Sequence, residues 1–249
     1  MKKEDRKKFI MKEINLHNRV LSTDLSIAMN VSDDTIRRDL KELADDGKIL
    51  KIHGGAASLS FVAPFNVQNE VYALGAKKAI AEKTLKLLKN NMVILTEGGT
   101  TILELAKMIP ENLRITVFTI SPQVAITLSD HNNLTVISIG GNLFKNANLH
   151  VGSGTINQLA DIKVDLCLLG ANAFSVEGGL SDLDWEVVQA KKALIRSAKK
   201  VAVLAISEKL NTNQTIKICD IDQIDYLITE LIPESDFFAS YRSTALKLI

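Results

Sequence analysis

Two stretches of the 249-residue chain carry side chains whose types and spacing could do chemistry. The first is Glu97-Gly98-Gly99-Thr100-Thr101, which follows the apolar run "MVILT" (92–96) and opens a helical pattern. Glycines let a backbone approach a ligand closely. The free N–H groups and the dipole at a helix start favour an anion there. The hydroxyls of Thr100 and Thr101 add donors, so the loop reads as a seat for phosphate or carboxylate, against a plain turn with a threonine cap. It is neither a Walker A loop, since no Gly-Lys-Ser/Thr follows, nor the six-residue dinucleotide fingerprint. The second stretch is "VSDDTIRRDLKELADDGKILKIHGGA" (31–56), which holds the chain's single Arg-Arg pair, Arg37-Arg38. Its chemistry would be contact with the phosphates and base edges of DNA.

Other predicted strand ends could converge on the glycine loop. They carry Ser121, Gly140-Gly141, Gly170-Ala171-Asn172 and Ser207-Glu208-Lys209, and in open α/β sheets ligands bind outside the C-terminal strand ends. Lys209 reads as a second phosphate partner or as a surface lysine. The segment 184–200 is an amphipathic helix with Val187, Ala190, Leu194 and Ala198 inward. On spacing alone, Lys191 on that helix favours water over a pocket. His131 and His150 lie in polar, loop-like contexts and receive no role.

The elements that must position these residues change character near residue 60. Before it, apolar residues recur at helical spacing: Phe9, Ile10, Ile14 and Leu16, then Leu21, Leu25 and Ala28, then Ile36, Leu40 and Leu43. Ser22 and Ser32 are the predicted N-caps of the second and third helices, and Val31 and Ile36 can form a hydrophobic staple. Around the third helix, Arg38 falls nearly opposite the apolar stripe, with Arg37 and Thr35 flanking it. Two helices joined by a tight turn, the second exposing Ser32, Thr35, Arg37 and Arg38, match a helix-turn-helix for the major groove. A β-wing follows, turning at Gly54-Gly55, where Lys51 and His53 could meet phosphates or a minor groove. The plain alternative is a solvated face in which the arginines pair with Asp34 or its neighbours at i,i+3 or i,i+4.

After residue 75, apolar runs alternate with helices. They are 92–96, 115–119, 134–139, 165–171, 201–206 and 225–229, and they imply a parallel sheet covered on both faces. The expected organisation is a winged helix-turn-helix at 1–57, a linker at 58–75 and an α/β effector-sensing and oligomerisation domain at 76–249.

Composition constrains the rest weakly. With 46% hydrophobic residues and a net charge of +1, the chain has a sizeable core and no overall basicity. Residues 1–60 hold 12 Lys and Arg against 10 Asp and Glu, so any basic face is local. Cys167 and Cys219 lie near apolar runs, without metal or CxxC spacing, and read as reduced core cysteines. No metal or cofactor is expected. The charged N-terminus and the lack of a ~20-residue apolar run make the cytoplasm the expected compartment.

Val31, Ser32, Thr35 to Leu40, Leu43, Gly47 and His53 to Ala56 together resemble the N-terminal signature of DeoR-type (DeoR/GlpR) bacterial transcriptional regulators. Lys51 departs from it, standing where the family usually has Arg. The resemblance continues through Gly99-Thr100-Thr101, Thr119 with Ser121, Gly140-Gly141, Gly152, Gly170, Gly179-Leu180-Ser181, Glu186, Lys191 and Ser207 with Lys209. It implies a Rossmann-like open parallel sheet similar to ribose-5-phosphate isomerase and CoA transferases, and an effector that is commonly a phosphorylated sugar. Three positions depart: Glu97 for Asp, Ile120 for Asn and Ile206 for Asp. They imply a retained anion site with altered sugar-hydroxyl contacts.

The reading is a DNA-binding repressor of a carbohydrate operon. Its DNA-contacting residues are Ser32, Thr35, Arg37, Arg38, Lys51, His53, Gly54 and Gly55. Its effector residues are Glu97, Gly98, Gly99, Thr100, Thr101, Ser121, Gly140, Gly141, Gly170, Lys191 and Lys209. The expected partners are double-stranded operator DNA and an anionic effector, with a homodimer or homotetramer and no membrane, because one short helix reads too few bases alone. The alternative is a sugar-phosphate isomerase carrying an N-terminal helix-turn-helix, with Glu97 as base and Lys191 or Lys209 as electrophile. Against it, no second acid is evident at a strand end near Glu97.

Overall fold

Ile10, Ile14, Leu25, Ile36, Leu40 and Leu43 share one buried cluster, and that cluster organises the N-terminal part of the chain. The computed structural model describes residues 1–59 and 71–249. The chain divides into two units, Met1–Tyr72 and Ala73–Ile249. Most of the expected linker, 60–70, lies outside the described residues. At its edges the expected boundaries shift: Ser58 closes a strand, and a helix opens at Leu74.

In the first unit, α1 (Lys3–His17), α2 (Ser22–Met29) and α3 (Asp33–Asp45) surround the cluster, and β1 (Arg19–Leu21), β2 (Ile49–Ile52) and β3 (Gly55–Ser58) form a sheet in the order β1-β3-β2. Ser32 caps α3, its hydroxyl accepting from the Thr35 N–H at 3.3 Å. Asp33 and Asp34 occupy the first turn, favourable to the helix dipole. Val31 packs against the same cluster as Ile36, as a staple requires. Ser22 is not a cap. It is the first helical residue, with Leu21 in the cap position, and its own N–H donates to the Gly54 carbonyl of the wing at 2.8 Å. Ala28 is exposed; Met29, one turn beyond Leu25, is the buried residue.

Asp39, inside the arginine helix, is buried and faces α1. Arg6 donates to it twice, Nε to Oδ2 at 2.7 Å and a terminal nitrogen to Oδ1 at 3.2 Å. This two-pronged ion pair fixes α3 against α1.

The wing turns at His53-Gly54, not at Gly54-Gly55. Ile52 pairs with Gly55, and Gly55 is already in the central strand. A Cβ at Gly55 would lie 1.9 Å from the Val20 carbonyl oxygen on β1. Gly55→Ala therefore forces β1 and β3 apart. We expect an early transition in urea unfolding of the full chain followed by circular dichroism; an unchanged curve would show that the sheet has slack there.

The second unit is built on seven parallel strands. They are β4 (Val93–Thr96), β5 (Thr116–Thr119), β6 (Thr135–Ser138), β9 (Leu166–Gly170), β12 (Val201–Leu204), β14 (Tyr226–Ile228) and β15 (Lys247–Leu248), in the order β15-β14-β12-β9-β4-β5-β6. All six apolar runs read from the sequence lie in this sheet; β15 is additional. Strand order runs outward from β4 to β6 on one side and from β9 to β15 on the other. The path reverses between β4 and β9, which is where an open α/β sheet leaves a crevice beyond its strand ends.

Four helices matter for that crevice: α4 (Leu74–Leu85), α5 (Thr100–Met108), α6 (Pro122–Leu128) and α8 (Trp185–Arg196), with α7 (Ser153–Ala160) between the last two. Two small antiparallel sheets complete the unit. One is β7 (Asn142–Phe144) with β8 (Leu149–Val151). The other has β11 (Gly179–Asp182) between β10 (Ala173–Ser175) and β13 (Ile216–Cys219).

Candidate DNA interface and effector site

Arg37 and Arg38 both project from α3 into solvent. Arg37 Nε is 2.7 Å from Asp33 Oδ2, the ordinary i,i+4 pair. Arg38 makes no such pair among the described residues, leaving its planar donor fork open. Ser32 is exposed and Thr35 half-buried, their hydroxyls 2.9 Å apart. Lys51, His53 and Gly54 are exposed on the wing. Gly55 is buried, so its requirement is packing against β1 rather than access to a duplex.

In the second unit, Glu97 leaves β4 at the reversal point and turns inward. Its Oε1 accepts from the Gly170 N–H at the end of β9, and its Oε2 lies 3.3 Å from Lys191 Nζ. Lys191 is buried rather than facing water, because Val187, Ala190 and Leu194 on the same helix hold that face against the core. Its ammonium also donates to the Gly170 carbonyl at 3.0 Å and to Asp182 Oδ2 at 3.2 Å. Asp182 comes from the end of β11, and Asn172 Nδ2 donates to its Oδ1 at 3.0 Å.

Asp182 is the residue that sequence reasoning missed, and it is the second acid that was expected to be absent. It sits directly after Gly179-Leu180-Ser181, but strand spacing gave no reason to bring β11 to the β4 end. Charges here are strongly coupled. Burial raises Glu97 above the ordinary carboxylate range, with Asp182 adding to the rise and Lys191 opposing it. Burial would raise Asp182 too, but Lys191 and the Asn172 and Leu183 donors hold it low. Burial would depress Lys191, yet the two carboxylates keep it raised.

Lys209 follows β12 on the same edge. Its Nζ donates to the Ala171 carbonyl at 2.8 Å. Burial, with Lys77 and Lys191 repelling it, pushes Lys209 down to about 7 against Asp182 and Glu97.

The glycine loop lies beside this group. Gly99 precedes α5 with φ +91°, a backbone that side chains rarely adopt, and no side chain caps the helix. The Thr100 and Thr101 hydroxyls have no hydrogen-bond partner among the described residues. Ser121 is buried and caps α6, accepting from Val124 at 3.4 Å; its Oγ lies close under Gly98. Gly140 and Gly141 serve a different place. The Gly140 carbonyl accepts from Thr155 Oγ1 at 2.9 Å and Gln158 Nε2 at 3.2 Å, which ties it to α7. Ile120 and Ile206 are buried core residues at strand ends. His131 Nε2 meets the Pro110 carbonyl and His150 Nδ1 the Ile139 carbonyl. Cys167 and Cys219 are free and buried; burial raises both thiols, which suits inert core residues.

Comparison with known proteins decides the family. The DeoR-like helix-turn-helix domain matches residues 6–61, and the DeoR C-terminal sensor domain matches residues 73–231. The chain belongs to the DeoR family. This DeoR-family protein is 33% identical to the HTH-type transcriptional regulator GolR of Listeria innocua over 91% of its length and 90% of that protein. It is 28% identical to a glycerol-3-phosphate regulon repressor of Haemophilus influenzae, over 94% and 92%. Among solved structures, the eIF2B-beta2-delta2 complex from C. thermophilum aligns at TM-score 0.49 and 17% identity, covering 68% of this chain and 60% of that one. Ribose 5-phosphate isomerase A from Methanocaldococcus jannaschii aligns at TM-score 0.40 and 18% identity, over 54% and 53%. The DeoR-family chain is thus a DNA-binding transcriptional regulator. No helix among its described residues is long and apolar enough to cross a membrane.

Proposed function

We propose that this DeoR-family regulator is a cytoplasmic repressor, released or engaged by a phosphorylated sugar or a similar anionic metabolite. One observation supports the ligand most: a buried Lys191 clasped by Glu97 and Asp182 stands at the sheet's reversal point, beside Lys209 and an uncapped helix start. Carboxylates and amide groups there suit hydroxyls; Thr100, Thr101, the free N–H groups of α5 and Lys209 suit a phosphoryl group. The glycerol-3-phosphate repressor among the relatives points to the same ligand class. In the first unit, Arg38, Arg37, Thr35 and Ser32 enter the major groove, while Lys51, His53 and Gly54 meet the backbone. Two or four copies supply the further half-sites that one short helix needs. The ligand acts by binding the DNA-competent and incompetent arrangements unequally.

We read the site as a sensor and not as a catalyst. The missing-acid objection to an isomerase falls with Asp182, but Glu97 is buried, accepts from the Gly170 N–H through Oε1 and is ion-paired to Lys191 at 3.3 Å, a place that suits holding a ligand hydroxyl. A panel of phosphorylated sugars, screened by thermal shift and then in gel shifts on the protein's own upstream DNA, tests the proposal. The expected result is one sugar phosphate that both raises the melting temperature and changes operator affinity. Aldose–ketose turnover lost in Glu97→Gln would overturn the sensor reading in favour of an enzyme.

A further inference from the structure

Tyr241, Phe174 and Phe238 are the largest side chains that the second unit buries completely. Phe174 comes from β10. Phe238 and Tyr241 come from the closing segment of the chain, beyond the residues that match the sensor domain. The Tyr241 ring stacks on Phe174 with centroids 6.0 Å apart and meets Phe238 edge-on at 5.9 Å. A phenylalanine would pack there as well, without taking a hydroxyl out of water. What the tyrosine adds is a pair of hydrogen bonds to one residue. Its hydroxyl donates to Asn211 Oδ1 at 2.9 Å and accepts from the Asn211 N–H at 3.3 Å.

Asn211 lies two residues after Lys209, in the loop that follows β12. Its φ of +57° is a left-handed backbone, which costs energy in any residue but glycine. The rest of that loop is tied to the strands that build the triad. Lys209 Nζ donates to the Ala171 carbonyl at 2.8 Å, and Leu210 bridges to Phe174. Ser175 Oγ donates to Asn213 Oδ1 at 2.7 Å, and the Gln214 N–H donates to Ser181 Oγ at 2.9 Å. Ala171 directly precedes Asn172, and Ser181 directly precedes Asp182. Asn211 is the exposed corner between these ties, and Tyr241 holds it from a separate part of the chain.

We propose that the Tyr241 hydroxyl is a positioning group for the effector site: by fixing Asn211 it keeps Lys209 against Ala171, where the ammonium meets the ligand. This rests on the anion-sensor reading above. Tyr241 touches no ligand and acts through Lys209. Without the hydroxyl the corner is free to leave its left-handed conformation, and binding must then order the loop again. The effect falls on affinity more than on folding, because the stacked rings remain and the exposed Asn211 amide can hydrate.

The test is calorimetric titration of the full chain with glycerol 3-phosphate, ribose 5-phosphate and inorganic phosphate. Whichever of these the wild type binds, Tyr241→Phe should bind about two- to tenfold more weakly, with a melting temperature close to that of the wild type. Asn211→Gly keeps the left-handed backbone and removes the acceptor, so it should show a similar loss; it decides the matter alone if Tyr241→Phe melts far lower. Lys209→Met should bind more weakly still. Adding Tyr241→Phe to it should cost nothing further, because the group being positioned is gone, whereas a tyrosine with only a packing role would give losses that add.

Wild-type affinity in both Tyr241→Phe and Asn211→Gly, or additive losses in the double variant, would overturn the positioning role while leaving the sensor reading intact. Failure of all three anions to bind the wild type would remove the anion-sensor reading and this inference with it.

Discussion

Lys191→Met should destabilise the second unit by about 3–5 kcal/mol, the usual cost of removing one partner from a buried ion pair. The variant loses a cation that lies 3.3 Å from Glu97 and 3.2 Å from Asp182, and methionine fills most of the volume. What remains is two buried carboxylates facing each other. Neither can hydrate, and the Gly170 and Asn172 donors satisfy only one oxygen of each. The sign of the pH dependence separates this account from a packing defect. Without Lys191 both carboxylates have folded-state values above their unfolded ones, so the missing stability returns as pH falls from 7 toward the unfolded range near ~4. A packing defect would be indifferent to pH. Urea unfolding at pH 7 and pH 5, followed by circular dichroism, measures both. A deficit that is small at pH 7, or equal at the two pH values, would mean that the triad is solvated and contributes little. Replacing Lys191, Glu97 and Asp182 together by apolar and amide residues should recover much of the loss, while abolishing ligand binding.

The same triad shows where sequence reading stops. Apolar runs such as 92–96 and 201–206 announce their strands because a parallel strand buried on both faces must be apolar throughout. The Ser32 cap, the staple and the outward Arg38 follow from local rules that need no tertiary partner, and they hold in the structure. Lys191 does not yield to such rules. Helical spacing gives its angle, but the acids that make its burial tolerable come from β4 and β11, far away in sequence. Asp182 was invisible for the same reason, since β10, β11 and β13 are strands of three or four residues whose partners are non-local. The wing errors have a smaller cause. Either glycine of Gly54-Gly55 could turn the chain; the choice was made by Val20, which leaves no room for a side chain at Gly55. Ser22 reads as a cap from spacing, but the helix starts at Ser22 itself, whose own N–H is taken by a wing carbonyl. Local chemistry predicts local geometry, and the misreadings fall where a distant element supplies the partner.

Arg38→Ala should weaken operator binding about ten- to a hundredfold while leaving the fold intact, and its salt dependence tells which contact was lost. The stability half follows from geometry. Arg38 is exposed on α3 and pairs with nothing among the described residues, whereas the neighbouring Asp39 holds α3 to α1 through Arg6. Removing Arg38 touches none of that, so the melting temperature should stay put, while Asp39→Asn should lower it. The affinity half follows from the donor fork. A guanidinium bidentate to a guanine edge is worth ~1–3 kcal/mol of discrimination, and each phosphate contact adds close to one unit to the salt slope. Gel shifts on the natural operator, on single-base variants and across a salt series separate the two. If Arg38 reads a base, Arg38→Ala loses preference at one position per half-site and keeps its salt slope. If it grips the backbone, binding falls evenly on all sequences and the slope drops by about one per protomer. Arg37→Ala should cost less in either case, because part of its charge is already spent on Asp33 at 2.7 Å. Unchanged operator affinity in Arg38→Ala at physiological salt would remove α3 as the helix that enters the groove.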